Sequence, residues 1–329
     1  MVGVPAPQAT ATPPGVATTP VLSCVGLRKA YGSLVAVDGL SFQIAPGETY
    51  GLLGPNGAGK TTCISMVAGI LWPDAGRVEI RGQPMGKGGV AVKRRIGYVP
   101  QEVAVYPDLT GRENLRFFAG LYGLTGSPAS TRVAEVLDLI GLRERAGDRV
   151  AKYSGGMRRR LNIGIGLLHR PDLLILDEPT VGVDPQSRNA ILASIEALSV
   201  HGMAVLYTTH YMEEAQRLCD RVGIIDKGRL IAEGTPRELT ASVGERDRVR
   251  LTATGDIDAG ARTLRTIAAV RQATPRPDGI DVLVDDARTA LQRILDVAAG
   301  AGLRIRSVAV EEPDLEAVFL HLTGKSLRD

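Results

Sequence analysis

Apolar residues recur along most of the chain in two patterns, as short continuous runs and at helical spacing. The run Leu173–Leu176 predicts a central parallel strand buried on both faces, and Met203–Thr209 predicts another core strand. From Leu109 to about Leu168 the spacing is helical, and Arg188–Leu198 and Glu213–Cys219 predict two further helices. Strands that alternate with helices in this way indicate an α/β fold with a mostly parallel sheet.

Short segments bounded by Gly, Asp or Pro predict the remaining strands of this part of the chain. They are Leu22–Val25, Leu40–Ile44, Glu48–Leu53 and Val78–Arg81. Glu48–Leu53 leads directly into a Gly-rich loop, which is followed by a predicted helix from Lys60 to about Leu71. Asp226-Lys227-Gly228 lies between two short apolar segments and predicts a β-hairpin.

The pattern changes around Thr235–Glu245, where a smaller unit begins. Its predicted order is βαββαβ with a final helix, which is consistent with a ferredoxin-like fold. The segments, in order, are Val249–Thr252, Ile257–Ile267, Val270–Ala273, Gly279–Val284, Ala287–Ala299, Leu303–Val310 and Asp314–Leu322. We therefore divide the chain into a leader (1–20), a larger α/β domain (21–238) with a helical subdomain at about 103–168, and a small C-terminal α+β domain (239–329).

Length, charge and cysteine usage narrow the function classes. The 329 residues suit two domains. Lys and Arg number 39 and Asp and Glu 36, a net charge of +3 that is too small to indicate a nucleic-acid partner. No apolar run approaches the roughly 18 residues that a membrane-spanning helix needs.

Residues 1–20 contain no basic residue and predict a disordered leader rather than a signal peptide. Cys24, Cys63 and Cys219 lack metal-ligand spacing and are expected to act as small apolar residues.

The segment Gly54-Pro55-Asn56-Gly57-Ala58-Gly59-Lys60-Thr61 matches the phosphate-loop pattern of two fixed glycines followed by Lys and Thr. Glycines let the backbone turn so that successive N–H groups point at an anion, and the following helix offers its positive N-terminal end. Lys60 is expected to bring its charge to the β- and γ-phosphates, and Thr61 to ligate Mg²⁺. Thr62 completes the predicted nucleotide-binding residues of this loop. The alternative is a chance Gly-rich turn, which the predicted strand before it and helix after it disfavour.

The other half of the predicted site follows the apolar strand Leu173–Leu176. Asp177 lies at the carboxyl end of this strand, where α/β folds bind ligands, and is expected to hold Mg²⁺ through water. Glu178 is then positioned to act as the general base that polarises the attacking water, a role worth about 10²–10⁴ in rate. Two solvated acids at the end of a strand are the alternative.

Further motifs distinguish among the classes of P-loop NTPase that these two segments allow. With Gln101, Tyr153-Ser154-Gly155-Gly156-Met157, Asp184 and His210, the chain resembles the ATP-binding subunits of ABC transporters from about Val21 to Thr235. The resemblance implies a P-loop NTPase (RecA-like) core with an antiparallel β subdomain and a helical subdomain.

Ser154, Gly155 and Gly156 match the signature of that family. There the signature lies at a helix N-terminus and meets the γ-phosphate of ATP held by the opposite subunit, which implies a head-to-tail homodimer with two ATP molecules at its interface. The commonest form is Leu-Ser-Gly-Gly-Gln, so this chain departs from it at Tyr153 and Met157 and keeps the Ser-Gly-Gly core. The role of Met157 stays open at this point.

The resemblance also implies roles for four single residues; a surface glutamine is the alternative for Gln101, and a structural histidine for His210. Gln101 matches the glutamine that senses Mg²⁺ and the γ-phosphate, and Asp184 matches a loop that crosses between subunits. His210 matches the switch histidine that contacts the γ-phosphate, and Tyr31 the aromatic residue that stacks on adenine, for which a buried core tyrosine is the alternative. The implied catalytic residues are Glu178, His210 and Lys60, and the implied Mg²⁺ ligands are Thr61, Gln101 and Asp177.

Two Arg-rich runs and the C-terminal segment carry weaker signals. Lys93-Arg94-Arg95 and Arg158-Arg159-Arg160 are typical of solvated faces. Residues 312–324 resemble the ending common in bacterial drug-resistance exporter ATPases of the daunorubicin type, whose permease is a separate chain of the ABC-2 kind. A compatible structural interpretation is an amphipathic closing helix with Leu315, Val318, Phe319 and Leu322 in the core.

The resemblance thus implies an ATP-binding and ATP-hydrolysing subunit that powers transport, favouring export, of a small molecule, drug or lipid-like compound through a separate permease. We expect bound ATP and Mg²⁺, peripheral attachment at the cytoplasmic face of the membrane, and no nucleic acid. The alternatives are a soluble ABC-type ATPase in translation or DNA repair, and a regulatory subunit that hydrolyses little. A single cassette without a long coiled coil disfavours the first, and intact Glu178 and His210 disfavour the second.

Overall fold

The computed structural model of the protein describes residues 19–86, 89–200, 202–242, 246–311 and 314–323. The predicted leader lies outside these residues, except for Thr19 and Pro20. The strands, in chain order, are β1 Leu22–Tyr31, β2 Leu34–Ile44, β3 Thr49–Leu53, β4 Ala75–Ile80, β5 Gln83–Pro84, β6 Ile96–Val99, β7 Leu173–Asp177, β8 Ala204–Thr209, β9 Arg221–Asp226, β10 Arg229–Gly234, β11 Asp247–Thr254, β12 Val270–Arg276, β13 Gly279–Val284 and β14 Arg304–Glu311.

The helices include two that the sequence pattern did not predict. In chain order, the helices are α1 Lys60–Val67, α2 Val90–Lys93, α3 Gly111–Leu121, α4 Gly126–Leu139, α5 Gly155–Leu167, α6 Pro185–Val200, α7 Met212–Leu218, α8 Pro236–Ser242, α9 Ile257–Leu264, α10 Ala287–Gly300 and α11 Leu315–Thr323, with a 3₁₀ turn at Val150–Lys152. The two that were not predicted are α2 and α8. In the ranges given above, none of these helices combines the length and the apolar composition that crossing a membrane requires.

A six-stranded sheet forms the centre of the larger domain, in the order β10-β9-β3-β8-β7-β6. The pairings from β9 to β6 are parallel, and β10 pairs antiparallel with β9. Every residue of β3, β7 and β8 is buried, which confirms the predicted core strands. Because parallel strands end at the same edge of a sheet, the residues that follow Leu53, Asp177 and Thr209 are brought together there.

Two further layers complete this domain. The sheet β2-β1-β4-β5 is antiparallel and shares one apolar core with β3 and α1, to which Leu22, Ile44 and Ile64 belong. Helices α3, α4 and α5 share a second core with β7. The protein therefore has the predicted P-loop NTPase fold, with a RecA-like core, an antiparallel β subdomain and a helical subdomain.

The end of α1 differs from its prediction. The apolar run continues to Leu71, but the helix ends at Val67 because Gly69 adopts a left-handed φ of +68°. The N–H groups of Ile70 and Leu71 then both donate to the carbonyl oxygen of Ser65. The predicted hairpin between β9 and β10 is confirmed, with positive φ at both Lys227 (+47°) and Gly228 (+78°), as a tight two-residue turn requires.

The C-terminal sheet has the order β12-β13-β11-β14, and all of its neighbouring strands are antiparallel. Helices α9 and α10 cover one face, where their apolar residues and those of the strands form a separate core. This is the predicted ferredoxin-like arrangement. The boundary between 238 and 239 itself stays a prediction.

Helix α11 packs against the larger domain instead of closing the C-terminal core. Leu315, Val318 and Phe319 are buried in the apolar cluster that also contains Ala215 of α7 and Leu239 of α8. The expectation that Leu322 also lies in the core is wrong, because 41% of it is exposed. One face of a helix buries a narrow stripe, and Leu322 lies beyond the part of α11 that its neighbours cover.

Candidate active site

The loop between β3 and α1 curves tightly because glycines occupy the points where it approaches other segments. A Cβ at Gly54 would lie 2.3 Å from the carbonyl oxygen of Ile225, and one at Gly59 would lie 2.3 Å from that of Ala36. Gly59 also has a φ of +104°, a conformation that other residues rarely adopt. Helix α1 begins at Lys60, so its free N-terminal N–H groups continue the loop. The chain thus forms the concave backbone surface expected for phosphate groups.

The ammonium group of Lys60 is held at the mouth of this loop. It donates hydrogen bonds to the carbonyl oxygens of Gly54 at 2.6 Å and Pro55 at 3.1 Å, and it lies 3.7 Å from Oε1 of Glu178. Only 6% of its side chain is exposed. Burial lowers the pKa of Lys60, while the negative charges of Glu178 and Asp177 oppose that shift. A phosphate beside this nitrogen would favour the charged form in the same way.

Two acidic residues at the end of β7 face this lysine. Asp177 is buried, and its Oδ1 accepts a hydrogen bond of 2.8 Å from the hydroxyl group of Thr208 on β8. Burial raises the pKa of Asp177, and this hydrogen bond opposes the shift. Glu178 has a φ of +46°, and its N–H donates to Oγ1 of Thr208 at 3.1 Å. This strained turn ends the strand and brings the Glu178 carboxylate beside Lys60.

His210 follows β8 and lies on the other side of the same carboxylate. Its Nδ1 lies 3.5 Å from Oε2 of Glu178, is buried, and has no hydrogen-bond partner among the residues that the structure describes. The structure therefore brings together Lys60, Glu178 and His210, the three predicted catalytic residues, from three separate strand ends of one sheet.

A stack of side chains that the sequence did not single out supports the His210 ring. The ring centre of Tyr211 lies 4.2 Å from that of His210, and the guanidinium carbon of Arg188 lies 4.3 Å from the centre of Tyr211. Arg188 also lies 3.5 Å from the buried carboxylate of Glu214, which anchors it. Neither Arg188 nor Tyr211 belongs to a motif, and the contact exists only because α6 and α7 meet in the fold.

The Ser-Gly-Gly segment starts helix α5. The Ser154 hydroxyl accepts a hydrogen bond of 3.2 Å from the N–H of Met157 and so forms the N-cap. A Cβ at Gly156 would lie 2.2 Å from Oγ of Ser187, so α5 and α6 approach too closely for any side chain there. The N-terminus of α5 is thus exposed at Ser154 and Gly155, and α6 packs against it at Gly156.

Both departures from the commonest signature have packing roles. Tyr153 is buried, and its hydroxyl group donates a hydrogen bond of 2.7 Å to the carbonyl oxygen of Arg145. Met157 packs, partly buried, against the same core of the helical subdomain. These two residues therefore hold the α5 N-terminus in position and do not determine which groups it exposes.

Arg159 corrects the expectation that the run Arg158-Arg159-Arg160 is a solvated face. It is buried, and its guanidinium group donates to the carbonyl oxygens of Gln101 at 2.6 Å, Pro100 at 3.1 Å and Glu178 at 3.3 Å. Burial lowers its pKa, and the negative charge of Asp177 opposes that shift. One buried cation therefore connects the signature helix to the Gln101 segment and to the turn at Glu178.

Helical spacing is the signal that could have found Arg159. It lies three residues after Gly156 and four before Ile163, and both of those residues are buried. Positions with this spacing share one face of a helix, so Arg159 faces the interior and Arg158 does not. The composition of the run did not predict the burial of Arg159, because a run of three like charges is normally solvated.

The remaining predicted residues lie at the surface. Tyr31 ends β1 with 51% of its area exposed, which excludes the buried-core alternative for it. Asp184 accepts a hydrogen bond of 2.9 Å from the N–H of Ser187 at the start of α6, and its hydrogen bonds to Ser187 lower its pKa. In the part of the chain that the structure describes, no hydrogen bond or ion pair joins Gln101, Ser154 or Asp184 to the phosphate loop.

The predicted Mg²⁺ ligands have suitable donor chemistry. Thr61 presents a hydroxyl group on the first turn of α1, and Asp177 presents a carboxylate with one oxygen bound to Thr208. Gln101 offers an amide oxygen from an exposed position beyond β6. Hard oxygen donors of these kinds suit Mg²⁺, which is commonly held by one or two protein oxygens together with phosphate oxygens.

Known proteins share this arrangement over both domains. Residues 37–181 match the family described as ABC transporter, and residues 234–323 match the family described as ATP-binding protein DrrA1-3-like, C-terminal domain. The chain is 46% identical to the linearmycin resistance ATP-binding protein LnrL of Bacillus subtilis (strain 168), over 94% of this chain and 100% of that one. It is 41% identical to the daunorubicin resistance ATP-binding protein DrrA3 of Streptomyces coeruleorubidus, over 92% of this chain and 96% of that one.

A solved structure described as the ATP binding subunit of an ABC transporter superposes with a TM-score of 0.61 at 31% identity, over 68% of this chain and 93% of the other. Relatives of this similarity across nearly the whole chain establish the family. The protein belongs to the ATP-binding, ATP-hydrolysing subunits of ABC transporters, in the group with a DrrA-like C-terminal domain.

Proposed function

We propose that this subunit powers the export of a drug-like or lipid-like small molecule through a separate membrane permease of the ABC-2 kind. The observation that carries the catalytic part is the position of the Glu178 carboxylate, 3.7 Å from Lys60 and 3.5 Å from His210. The exporter part is supported by the relatives named for resistance to linearmycin and daunorubicin, which align along nearly the whole chain.

Each group of residues at the site has a separate role in hydrolysis. The phosphate-loop N–H groups and Lys60 bind the triphosphate and hold its γ-phosphate against the sheet edge. Glu178 takes the proton of the attacking water as the water oxygen bonds to the γ-phosphorus; the bond from that phosphorus to the bridging oxygen breaks, ADP leaves with this oxygen, and His210 holds the reacting groups in line. Thr61, Asp177 and Gln101 would hold Mg²⁺, which would neutralise phosphate charge.

A second copy completes the proposed site. Ser154 and the α5 N-terminus are exposed, and among the described residues no hydrogen bond or ion pair joins Ser154 to the phosphate loop of its own chain, so a head-to-tail partner can place them against a γ-phosphate. A serine hydroxyl and a helix N-terminus both favour an anion. Tyr31 would stack on the adenine, and Asp184 would meet the opposite subunit. ATP closes this pair to the extent that it binds the closed form more tightly than the open one.

Transport requires that closure act on a membrane partner. We infer that the subunit attaches peripherally, at the cytoplasmic face, through its permease. Arg159 supports such coupling, because it connects the Gln101 segment and the signature helix to the backbone of Glu178. A change at the γ-phosphate can therefore be passed to the helical subdomain through one buried side chain.

The replacement Glu178→Gln tests the catalytic assignment. It removes the proton acceptor and keeps the shape, so we expect ATP turnover to fall by about 10²–10⁴ while Mg-ATP binding is kept. Glu213→Gln is the matched control, because Glu213 carries the same charge but lies exposed at the start of α7. Equal turnover of both variants would remove Glu178 as the base.

The dimer is tested in the same background. At a protein concentration where the nucleotide-free chain is monomeric, Glu178→Gln with Mg-ATP should be dimeric by light scattering, and adding Ser154→Asp should make it monomeric. Aspartate caps a helix as well as serine does, so folding is kept, but its charge repels a γ-phosphate. A Glu178→Gln protein that stays monomeric with Mg-ATP, or a Ser154→Asp variant that dimerises equally well, would contradict the head-to-tail arrangement.

A further inference from the structure

Strand β14 forms an open edge of the C-terminal sheet. It pairs with β11 on one side, and no strand in the described ranges pairs with its other side. Its residues are exposed, apart from the half-buried Ile305. Val308 and Val310 are 38% and 41% exposed although both are apolar and branched. An edge of this kind can accept a further strand through its free N–H and carbonyl groups.

Pairing with β11 assigns each residue of β14 to a face of the sheet. The apolar residues lie opposite buried β11 residues, on the face that α9 and α10 cover; these residues are Ile305, Val308 and Val310. The other face carries Arg304, Ser307, Ala309 and Glu311. Arg306 is the extra residue where the register with β11 shifts.

This strand is complementary to itself about a twofold axis at Val308. In an antiparallel pair centred there, Val308 meets Val308 of the second copy, and Val310 meets Ile305. On the opposite face, Ser307 meets Ala309, and Glu311 meets Arg304. The two members of each pair lie on the same face of the joined sheet, because the extra residue Arg306 has no partner in either copy. Apolar side chains therefore meet along one face, and opposite charges meet at both ends of the other.

We propose that two copies of this chain pair along β14 and join their four-stranded C-terminal sheets into one continuous sheet. The contact goes beyond the proposed nucleotide sandwich, because it uses a different surface and needs no nucleotide. The opposite edge does not have the same property. Strand β12 contains Pro275, which lacks an N–H, so it cannot form a complete ladder with another strand.

A cysteine at the proposed axis tests the pairing. Directly opposed residues of antiparallel strands have Cα atoms about 4.5–5.5 Å apart, within disulfide range. Full-length Val308→Cys, oxidised mildly without nucleotide, should therefore form a disulfide-linked dimer. The native cysteines do not interfere, because Cys24, Cys63 and Cys219 are all buried. Thr274→Cys, exposed on the opposite edge strand β12, is the control and should form no disulfide-linked dimer.

Charge reversal tests the register. Arg304→Glu places like charges opposite each other at both ends of the pair, so we expect the nucleotide-free dimer to dissociate about tenfold more readily in sedimentation. Arg306→Glu makes the same charge change on the same strand at the skipped position, and should shift dissociation less than about twofold. Arg304→Lys should retain the native behaviour.

Each outcome decides for or against the pairing. A nucleotide-free chain that is monomeric at high concentration, or cross-linking that is equal at 308 and 274, would overturn it, and so would equal effects of the two Arg→Glu changes. These measurements use no nucleotide, so failure of the ATP sandwich leaves them unaffected. Conversely, an ATP-dependent dimer of Glu178→Gln without cross-linking at 308 would reject this contact alone.

Discussion

At the residue scale, the site depends on side chains whose own positions are set by neighbours outside the motifs. His210 is the clearest case, because its ring lies against Tyr211, which in turn lies against Arg188. A catalytic ring that is displaced by a fraction of an ångström loses alignment with the reacting atoms. We therefore expect Tyr211 to be a positioning residue for His210.

We expect Tyr211→Ala to lower kcat for ATP hydrolysis about tenfold with little change in KM, because ATP binding does not depend on this ring. Tyr211→Phe keeps the ring and should keep most of the turnover, so it is the matched control. Steady-state ATPase rates of the purified variants decide the matter. Equal turnover of the Ala and Phe variants would mean that the stack has no part in positioning His210.

Two kinds of site residue differ in how far the sequence reveals them. Lys60 and Asp177 could be predicted, because a Gly-rich loop and a strand end carry their chemistry within a few consecutive positions. Arg159 could not be predicted from its charged run, since its three carbonyl partners come from two distant segments. Its burial could be inferred only from its helical spacing, which places it on the same face of α5 as Gly156.

At the element scale, helix α11 shows how an amphipathic pattern predicts a buried face but not the surface that covers it. The pattern correctly placed Leu315, Val318 and Phe319 inside. It did not reveal that they pack against α7 of the larger domain and against α8, which spans the predicted domain boundary. Since α7 begins two residues after His210, the C-terminal helix packs against an element that begins beside the candidate active site.

This packing predicts a sharp difference between two apolar residues of α11. Phe319→Ala should lower the free energy of unfolding by about 3–5 kcal/mol, because a fully buried ring is removed. Leu322→Ala should change it by less than about 0.5 kcal/mol, because Leu322 is 41% exposed. Chemical denaturation of both variants provides the comparison, and a similar loss at the two positions would show that α11 is not seated as described.

At the scale of the whole molecule, two separate contacts between copies would act together. Pairing along β14 would keep two cassettes near each other, so that closure around ATP would become an event within one complex. The two contacts must then share one twofold axis, since both would be formed by the same two chains. Opening of the nucleotide sandwich would leave the β14 contact intact.

This arrangement makes turnover depend on protein concentration in a predictable way. ATPase activity per molecule should rise with concentration, and Arg304→Glu should move the half-maximal concentration up about tenfold without changing the limiting rate. Arg306→Glu should leave both values near those of the native chain. If activity per molecule were constant over the whole range for the native protein, dimerisation would not limit hydrolysis.

The sequence alone determined the features that arise within short segments. These are the phosphate loop with its glycines, the apolar strands of the central sheet, the turn at Lys227-Gly228 and the order of elements in the C-terminal unit. Local conformational preference and periodicity encode them, so they can be inferred before any contact between segments is known.

Tertiary structure decided everything that needs two distant segments to meet. It turned Glu178 between Lys60 and His210, buried Arg159 against three carbonyl oxygens, and seated α11 on the larger domain. Among the described strands, it also left one side of β14 unpaired. The physical reason is that desolvation and packing depend on which surfaces cover one another, and residue order along the chain does not specify that by itself.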